Sequence, residues 1–245
     1  MASVLLLALL CSVSRAGTVA AVEVSSAAVQ KELAVYSLKA DETRRTPSIV
    51  SSLGPVDTPL PLDLANFLLD HPDIAAYVVH RHRIAPYRIT MKTPTESYAD
   101  DGAGTKGTIA LLKRDERERT YFGDGVHDSK HLPPIHATAV VVMKVAEPNT
   151  ADCRPSVRSS FKVYVKLRSK VLSAAAKTVR VFVRKKVAQI FTKAFLAADK
   201  VGRLIAEDPE GLMKEISDYP SIDEKDRAEF VRLMERFRRG RASCS

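Results

Sequence analysis

The feature that most restricts how this chain can fold lies in its C-terminal third, where no glycine or proline occurs from Ser169 to Val201. Across it the apolar residues Val171, Leu172, Ala175, Val179, Phe182, Val183, Val187, Ile190, Phe191, Ala194, Phe195, Ala198, Val201 and Ile205 advance in steps of mostly three or four. That is the spacing of one face of an α-helix. At about 1.5 Å per residue, the 33 positions would form a rod about 50 Å long. A rod of that length outruns a small sheet, so a kink or break is expected near Ser173 to Thr178.

The same stretch gathers the charge. From Lys162 to Arg203 there are twelve Lys or Arg against one acid, Asp199, a local charge of +11. The whole chain carries +9, so everything else together carries −2. Such local basicity points to one anion-facing surface and not to a generally cationic protein.

Upstream of the helix the period becomes that of strands. Tyr87–Thr93, Gly107–Arg114, Arg119–Asp124, Ala137–Val145 and Ser159–Leu167 are each rich in β-branched or aromatic residues. In the last, Phe161, Val163, Val165 and Leu167 alternate with Ser160, Lys162, Tyr164 and Lys166, which marks a strand with one buried and one wet face. Turn residues link the segments, in ADDGAGTKG, RDERE, GDGVHDSKHLPPI and EPNTADCRPS. Five strands without intervening helices predict an antiparallel meander.

Two short helices are expected before the meander. Leu64, Phe67 and Leu68 share one face, and a second helix runs from Pro72 to about His80 with Ile74, Tyr77 and Val78 inward. After the long helix, Asp208-Pro209 reads as a cap and first turn. Ser221 with Glu224 reads as a capping box for a last helix whose Phe230, Leu233, Met234 and Phe237 share a face.

At 245 residues, with 45% hydrophobic and 27% charged positions, the chain can bury a proper core and is not disordered throughout. Residues 1–16, MASVLLLALLCSVSRA, carry a short apolar run and a small-x-small site, the pattern of a secretory signal peptide cut near Ala16. Export to the periplasm or the exterior is therefore expected. The apolar run is too short to span a bilayer, which takes about 20 residues. Residues 17–57 read as a linker, partly disordered, with a short helix around Val29 to Leu38. Cys153 and Cys244 could pair in an oxidising compartment, and otherwise read as incidental thiols.

Candidate chemistry is sparse. Gly102-Ala103-Gly104-Thr105-Lys106-Gly107 spells GxGxxG, but a strand follows it where a nucleotide fingerprint needs a helix. The glycines read as a tight link between strands. His127, His131 and His136 lie in a loop broken by two prolines, which suits solvated histidines better than a metal site. His80 and His82 are expected to face solvent. No Gly-x-Ser-x-Gly elbow occurs, and Asp100-Asp101 sits where Asp is favoured by turn geometry. No catalytic residue, metal or cofactor is assigned. Nucleic acid is the weakest partner for the basic helix. An anionic membrane and plain water stand level, because a helix packed on a sheet also needs a polar outer face. The membrane reading turns Lys177, Arg180, Arg184, Lys185 and Lys186 toward lipid.

Two short helices, an antiparallel meander, then a strand feeding a basic segment and a long helix in FKVYVKLRSKVLSAAAKTVRVFVRKKVAQIFTKAFLAADKVGRLI: this order resembles the START-like helix-grip superfamily, which includes polyketide cyclase-like and coenzyme Q-binding START proteins. The likeness covers residues 58–206 and leaves 207–245 as a helical extension. It implies an α+β fold with the sheet curled around the long helix, and a cavity between them for a lipid or other hydrophobic molecule. In that picture Phe182, Ile190, Phe191 and Phe195 line the helix side, and Ile89, Ile109, Tyr121, Val141 and Val163 the sheet side. The same residues could equally fill the interior. Three functions stay open: lipid binding or transfer, a cyclase or hydrolase using polar groups in the cavity, and a non-catalytic envelope protein that binds another protein.

Overall fold

The computed structural model describes residues 26–128, 133–148, 155–168, 172–220 and 222–242, with the side chains of 26–28, 172–180, 182, 241 and 242 outside that description. The segment read as a signal peptide, together with His131, Cys153, Ser221 and Cys244, lies outside the described residues.

The element order is α1 (Ser26–Arg45), β1 (Ile49–Thr58), α2 (Leu62–Asp70), α3 (Pro72–Arg81), β2 (Arg88–Thr93), β3 (Glu96–Asp100), β4 (Thr105–Arg114), β5 (Glu118–His127), β6 (Ile135–Ala146), β7 (Val157–Leu167), α4 (Leu172–Glu207), α5 (Pro209–Ser217) and α6 (Glu224–Ala242). The described strands form one antiparallel sheet in the order β1-β7-β6-β5-β4-β3-β2. The fold is α+β, a curled antiparallel sheet holding a long amphipathic helix, with further helices after it. Strands β2 to β7 are the meander, and β1 closes the far edge beside β7, pairing Ile49 with Val165 and Ser51 with Val163.

The sheet has seven strands where the residue pattern predicts five. Strand β1 escapes notice because its middle is Gly54-Pro55, and proline within a run argues against a central strand. It is an edge strand, and its register shifts between Leu53 and Val56, where the Gly-Pro is accommodated. Strand β3, Glu-Ser-Tyr-Ala-Asp, has poor intrinsic strand preference and is held by pairing on both sides, to β2 and β4.

Residues 26–58 are thus not a linker. Helix α1 covers the outer face of the sheet, where Ala40, Phe122 and Val140 form a small second core with Tyr36. The Tyr36 and Phe122 rings lie 5.7 Å apart, and the Thr43 and Thr138 hydroxyls share a 2.8 Å hydrogen bond. The buried stripe of α1 is Tyr36, Ala40 and Thr43, too narrow and too polar to register as hydrophobic periodicity.

On the other face, α4 packs with α2 and α3 onto the sheet. It runs from Leu172 to Glu207 without the expected break, a span of 36 residues. Its one interior glycine, Gly202, allows close approach to the chain before α2, since a Cβ there would sit 2.9 Å from the Pro59 ring. The tail is part of the same core. Phe230 and Met234 of α6 are fully buried, and the Phe230 ring lies 5.5 Å from that of Phe67 in α2. Helix α6 is capped by Asp223, whose carboxylate accepts the Asp226 N–H at 2.8 Å.

Candidate functional site

Strand alternation puts one side chain in two on the α4 side of the sheet, and register decides which of these meet. Tyr121 of β5, Val141 of β6 and Val163 of β7 are directly opposite one another. They make a row across the sheet, all buried. Ile109 of β4 and Ile89 of β2 continue the buried face toward the far edge. From α4, Ile190, Phe191 and Phe195 join the same core. The Phe161, Phe191 and Phe195 rings stack edge to tilt, with centroids 5.3 to 6.1 Å apart.

The helix and the sheet therefore fill most of the space between them with each other. Among the described residues an apolar cavity of about 70 Å³ stays open between the ends of β6 and β7, α2 and α4. Leu68, Leu69, Met143, Phe161, Phe195 and Ala198 wall it, with the hydroxyl residues Thr58 and Ser159 at its edge. Of the eight expected lining residues whose side chains are described, only Phe195 touches this cavity. Ile190 faces a groove described below. The Phe182 side chain lies outside the described residues.

Three buried side-chain atoms among the described residues lack a hydrogen-bond partner: Tyr121 Oη, Glu215 Oε1 and Arg227 Nε. The Tyr121 hydroxyl is buried with no hydrogen-bond partner among the described residues, and burial pushes its phenol far above the ordinary range. Its neighbours on the strand are satisfied: Arg119, 2% exposed, donates from Nε and Nη2 to Asp70 and from Nη1 to Asn66, tying β5 to α2.

A second concavity, about 290 Å³, opens on another side of α4. Its floor is Ile84, Ala85, Pro86, Ile190 and Ala197, and its rim carries Lys186, Lys193, Lys200 and Asp101. His127, beside the β3–β4 turn, belongs to β5 and is 8% exposed, so it is not a solvated loop residue. Its Nδ1 and the Thr105 hydroxyl lie 2.8 Å apart. Burial, then the nearby Lys186 charge, hold the imidazole below its ordinary pKa. The loop reading failed because the turn starts at Asp128, later than the glycines of GDG suggest. His136 in β6 is exposed, as are His80 and His82, the latter 2.9 Å from Glu215. No cluster of His, Cys, Asp or Glu among the described residues could hold a metal ion.

The basic residues of α4 separate by position. Arg184 and Lys185 are exposed, Lys186 is half-buried in the groove wall, and the side chains of Lys177 and Arg180 lie outside the described residues. Among the described residues no helix is long and apolar enough to cross a membrane.

The sequence matches no family model and no curated protein. Among solved structures, the chain is similar to a conserved protein from Geobacillus kaustophilus, with 11% identity over 62% of this chain and 94% of that one and a TM-score of 0.41. It is also similar to the di-domain ARO/CYC BexL from the BE-7585A biosynthetic pathway, with 14% identity over 71% of this chain, 59% of that one and a TM-score of 0.41. At such scores the chain's own topology, and not the superposition, carries the assignment. The chain has a helix-grip-like fold. In this helix-grip the clasped object is largely α4 itself, which the aromatic and aliphatic pattern of the sequence could not distinguish from the wall of a ligand cavity. The cavity that does exist is walled by α2 and by small residues of α4, Ala194 and Ala198. Only missing volume at those alanines could have signalled it.

Proposed function

We propose that this chain binds a lipid-like hydrophobic ligand between the sheet and α4, and exchanges it at an anionic membrane surface. The observation that carries the reading is the apolar cavity bounded by Leu68, Met143, Phe161 and Ala198. Walls almost wholly of carbon favour an apolar occupant, and an apolar cavity of about 150 Å³ suffices to hold benzene. At about 70 Å³ this one admits the end of an apolar chain, and a longer ligand enters by outward movement of α4 or α2. The exposed Arg184 and Lys185 face outward on α4 and would meet acidic headgroups, each basic residue near such a surface gaining about 1 kcal/mol. In this reading the protein is exported and works peripherally to the membrane.

Native mass spectrometry of the purified protein with lipid extraction tests the first half. A co-purifying hydrophobic ligand, lost from Ala198→Leu, is the expected result; no bound or bindable ligand would sink the reading. Flotation with acidic liposomes tests the second, and reversal of charge at Arg184 and Lys185 should abolish it.

A second reading, a cyclase or hydrolase acting deeper in the same core, is favoured by the unpartnered Tyr121 hydroxyl, which lies outside the cavity lining and meets a substrate only once α4 moves outward. It could donate to a substrate carbonyl. Conversion of the extracted ligand by the wild type and not by Tyr121→Phe would select it over simple binding.

A further inference from the structure

We propose that the groove between α4, the α3–β2 connection and the β3–β4 turn is a second binding site, which takes an amphiphilic anion: a carboxylate or phosphate head on an apolar body. It shares no lining residue with the interior cavity, so the inference stands whether or not the interior binds a ligand.

Three lysines form one side. Lys186, Lys193 and Lys200 are spaced by seven residues, which returns each to nearly the same side of α4 after two turns. None has a carboxylate partner among the described residues. Their ammonium groups are therefore not neutralised from within the described protein, in contrast to those of Lys92, Lys106, Lys113 and Lys166, which are ion-paired. The single acid between Lys186 and Lys200 is Asp199, and it is bonded to Arg203 at 2.9 Å. Asp101 also faces the groove, but its Oδ1 accepts the N–H groups of Ala103 and Thr105 and so serves the turn. Three cations against one engaged carboxylate leave the groove net positive.

The floor is of the opposite character. Ile84, Ala85, Pro86, Ile190 and Ala197 make it apolar, and Leu196 stands on the rim with 57% of its surface exposed. An inorganic anion would use the lysines and leave this floor wet. A neutral apolar molecule would cover the floor and leave the charges idle. Only a ligand with both parts satisfies both, and the volume, about 290 Å³, sits at the lower end of the roughly 300 to 1,000 Å³ usual for small-molecule sites.

A strained residue extends the charge. Past Pro86 the groove continues into an open depression walled by His80, Arg81 and Arg83. Arg83 has φ of 52°, the left-handed conformation that favours glycine, where it ends α3 with its N–H on the His80 carbonyl. Arginine in a glycine position is explained if its guanidinium is wanted there. Arg81 is held by Glu215 and adds little.

The test uses calorimetric titration of the full chain with decanoate, 1-decanol and inorganic phosphate. Decanoate is expected to bind at one site, more tightly than either control. The triple variant Lys186→Gln, Lys193→Gln, Lys200→Gln should lose about tenfold or more of that affinity, as when a charge-assisted contact is removed. Arg83→Gly should bind more weakly while its melting temperature holds or rises, which separates binding from folding. Ala198→Leu, which fills the interior cavity, should bind decanoate like the wild type. The proposal is overturned if decanoate does not bind, if phosphate binds as well, or if the lysine variant binds unchanged. Loss in Ala198→Leu with the lysine variant unaffected would place decanoate in the interior, sinking the groove and keeping the interior reading. Lysine-dependent flotation with acidic vesicles, without decanoate binding, would assign the lysines to a membrane headgroup and also overturn it.

Discussion

At the scale of single residues, the Tyr121 hydroxyl is a buried group whose burial is not compensated. An unpaired buried hydroxyl costs about 1 to 3 kcal/mol, and the Tyr121 hydroxyl has no partner among the described residues. Tyr121→Phe is therefore expected to raise unfolding stability by about 1 kcal/mol in urea denaturation. A decrease would mean that the hydroxyl is engaged in solution. His127 gives a pH dependence. Its folded-state pKa lies below that of the unfolded chain, chiefly through burial, so below about pH 6.5 the unfolded state binds more protons than the folded one. Its share of stability is complete above that pH and is lost as pH falls toward the lowered value. Melting curves from pH 7.5 to 5 should show that loss, and His127→Gln should flatten it.

At the scale of elements, two backbone positions with positive φ make opposite predictions. Gly54 in β1 has φ of 92°, and a Cβ there would meet the Ser159 carbonyl at 2.7 Å. Gly54→Ala adds both a left-handed penalty of about 1 kcal/mol or more and a clash with the β7 backbone, so β1 should loosen. Hydrogen exchange at its pairing with β7 should rise first. Arg83, at φ 52°, already bears such a penalty, and Arg83→Gly should recover about 1 kcal/mol in thermal unfolding. The elements legible from residue pattern were those with clean periods: α2, α3, the alternating β7 and the face of α4. Strands β1 and β3 were not. One carries Gly-Pro, the other acids, and neither would be extended without the neighbours that pair with it.

At the scale of the whole molecule, the C-terminal helices behave as part of the core and not as an appendage. Leu212, Ile216, Tyr219, Phe230 and Met234 are all buried within the main cluster. Truncation after Glu207 strips Phe67 and its neighbours of that cover, and large apolar side chains lost from a core cost about 3 to 5 kcal/mol each. The truncated chain is expected to be insoluble or molten. A cooperative unfolding transition in it, seen by circular dichroism, would show that the helices α5 and α6 are dispensable. Helix α1 makes a different case, since its small core of Ala40, Phe122 and Val140 is separate from the main one.

The amino-acid sequence by itself determined the class of the molecule. Strand alternation, turn residues and one long helical period are local signals, and they were enough to set an antiparallel sheet against α4 and to concentrate positive charge on that helix. Only the tertiary structure decided what lies between them. Whether Phe191 lines a void or plugs it depends on the summed volume of facing side chains, and whether Lys186, Lys193 and Lys200 stand unpaired depends on which acids fold near them. Neither property resides in any one segment: the interior is nearly filled except beside Ala194 and Ala198, and the open cationic groove appears only when the α3–β2 connection and the β3–β4 turn meet α4.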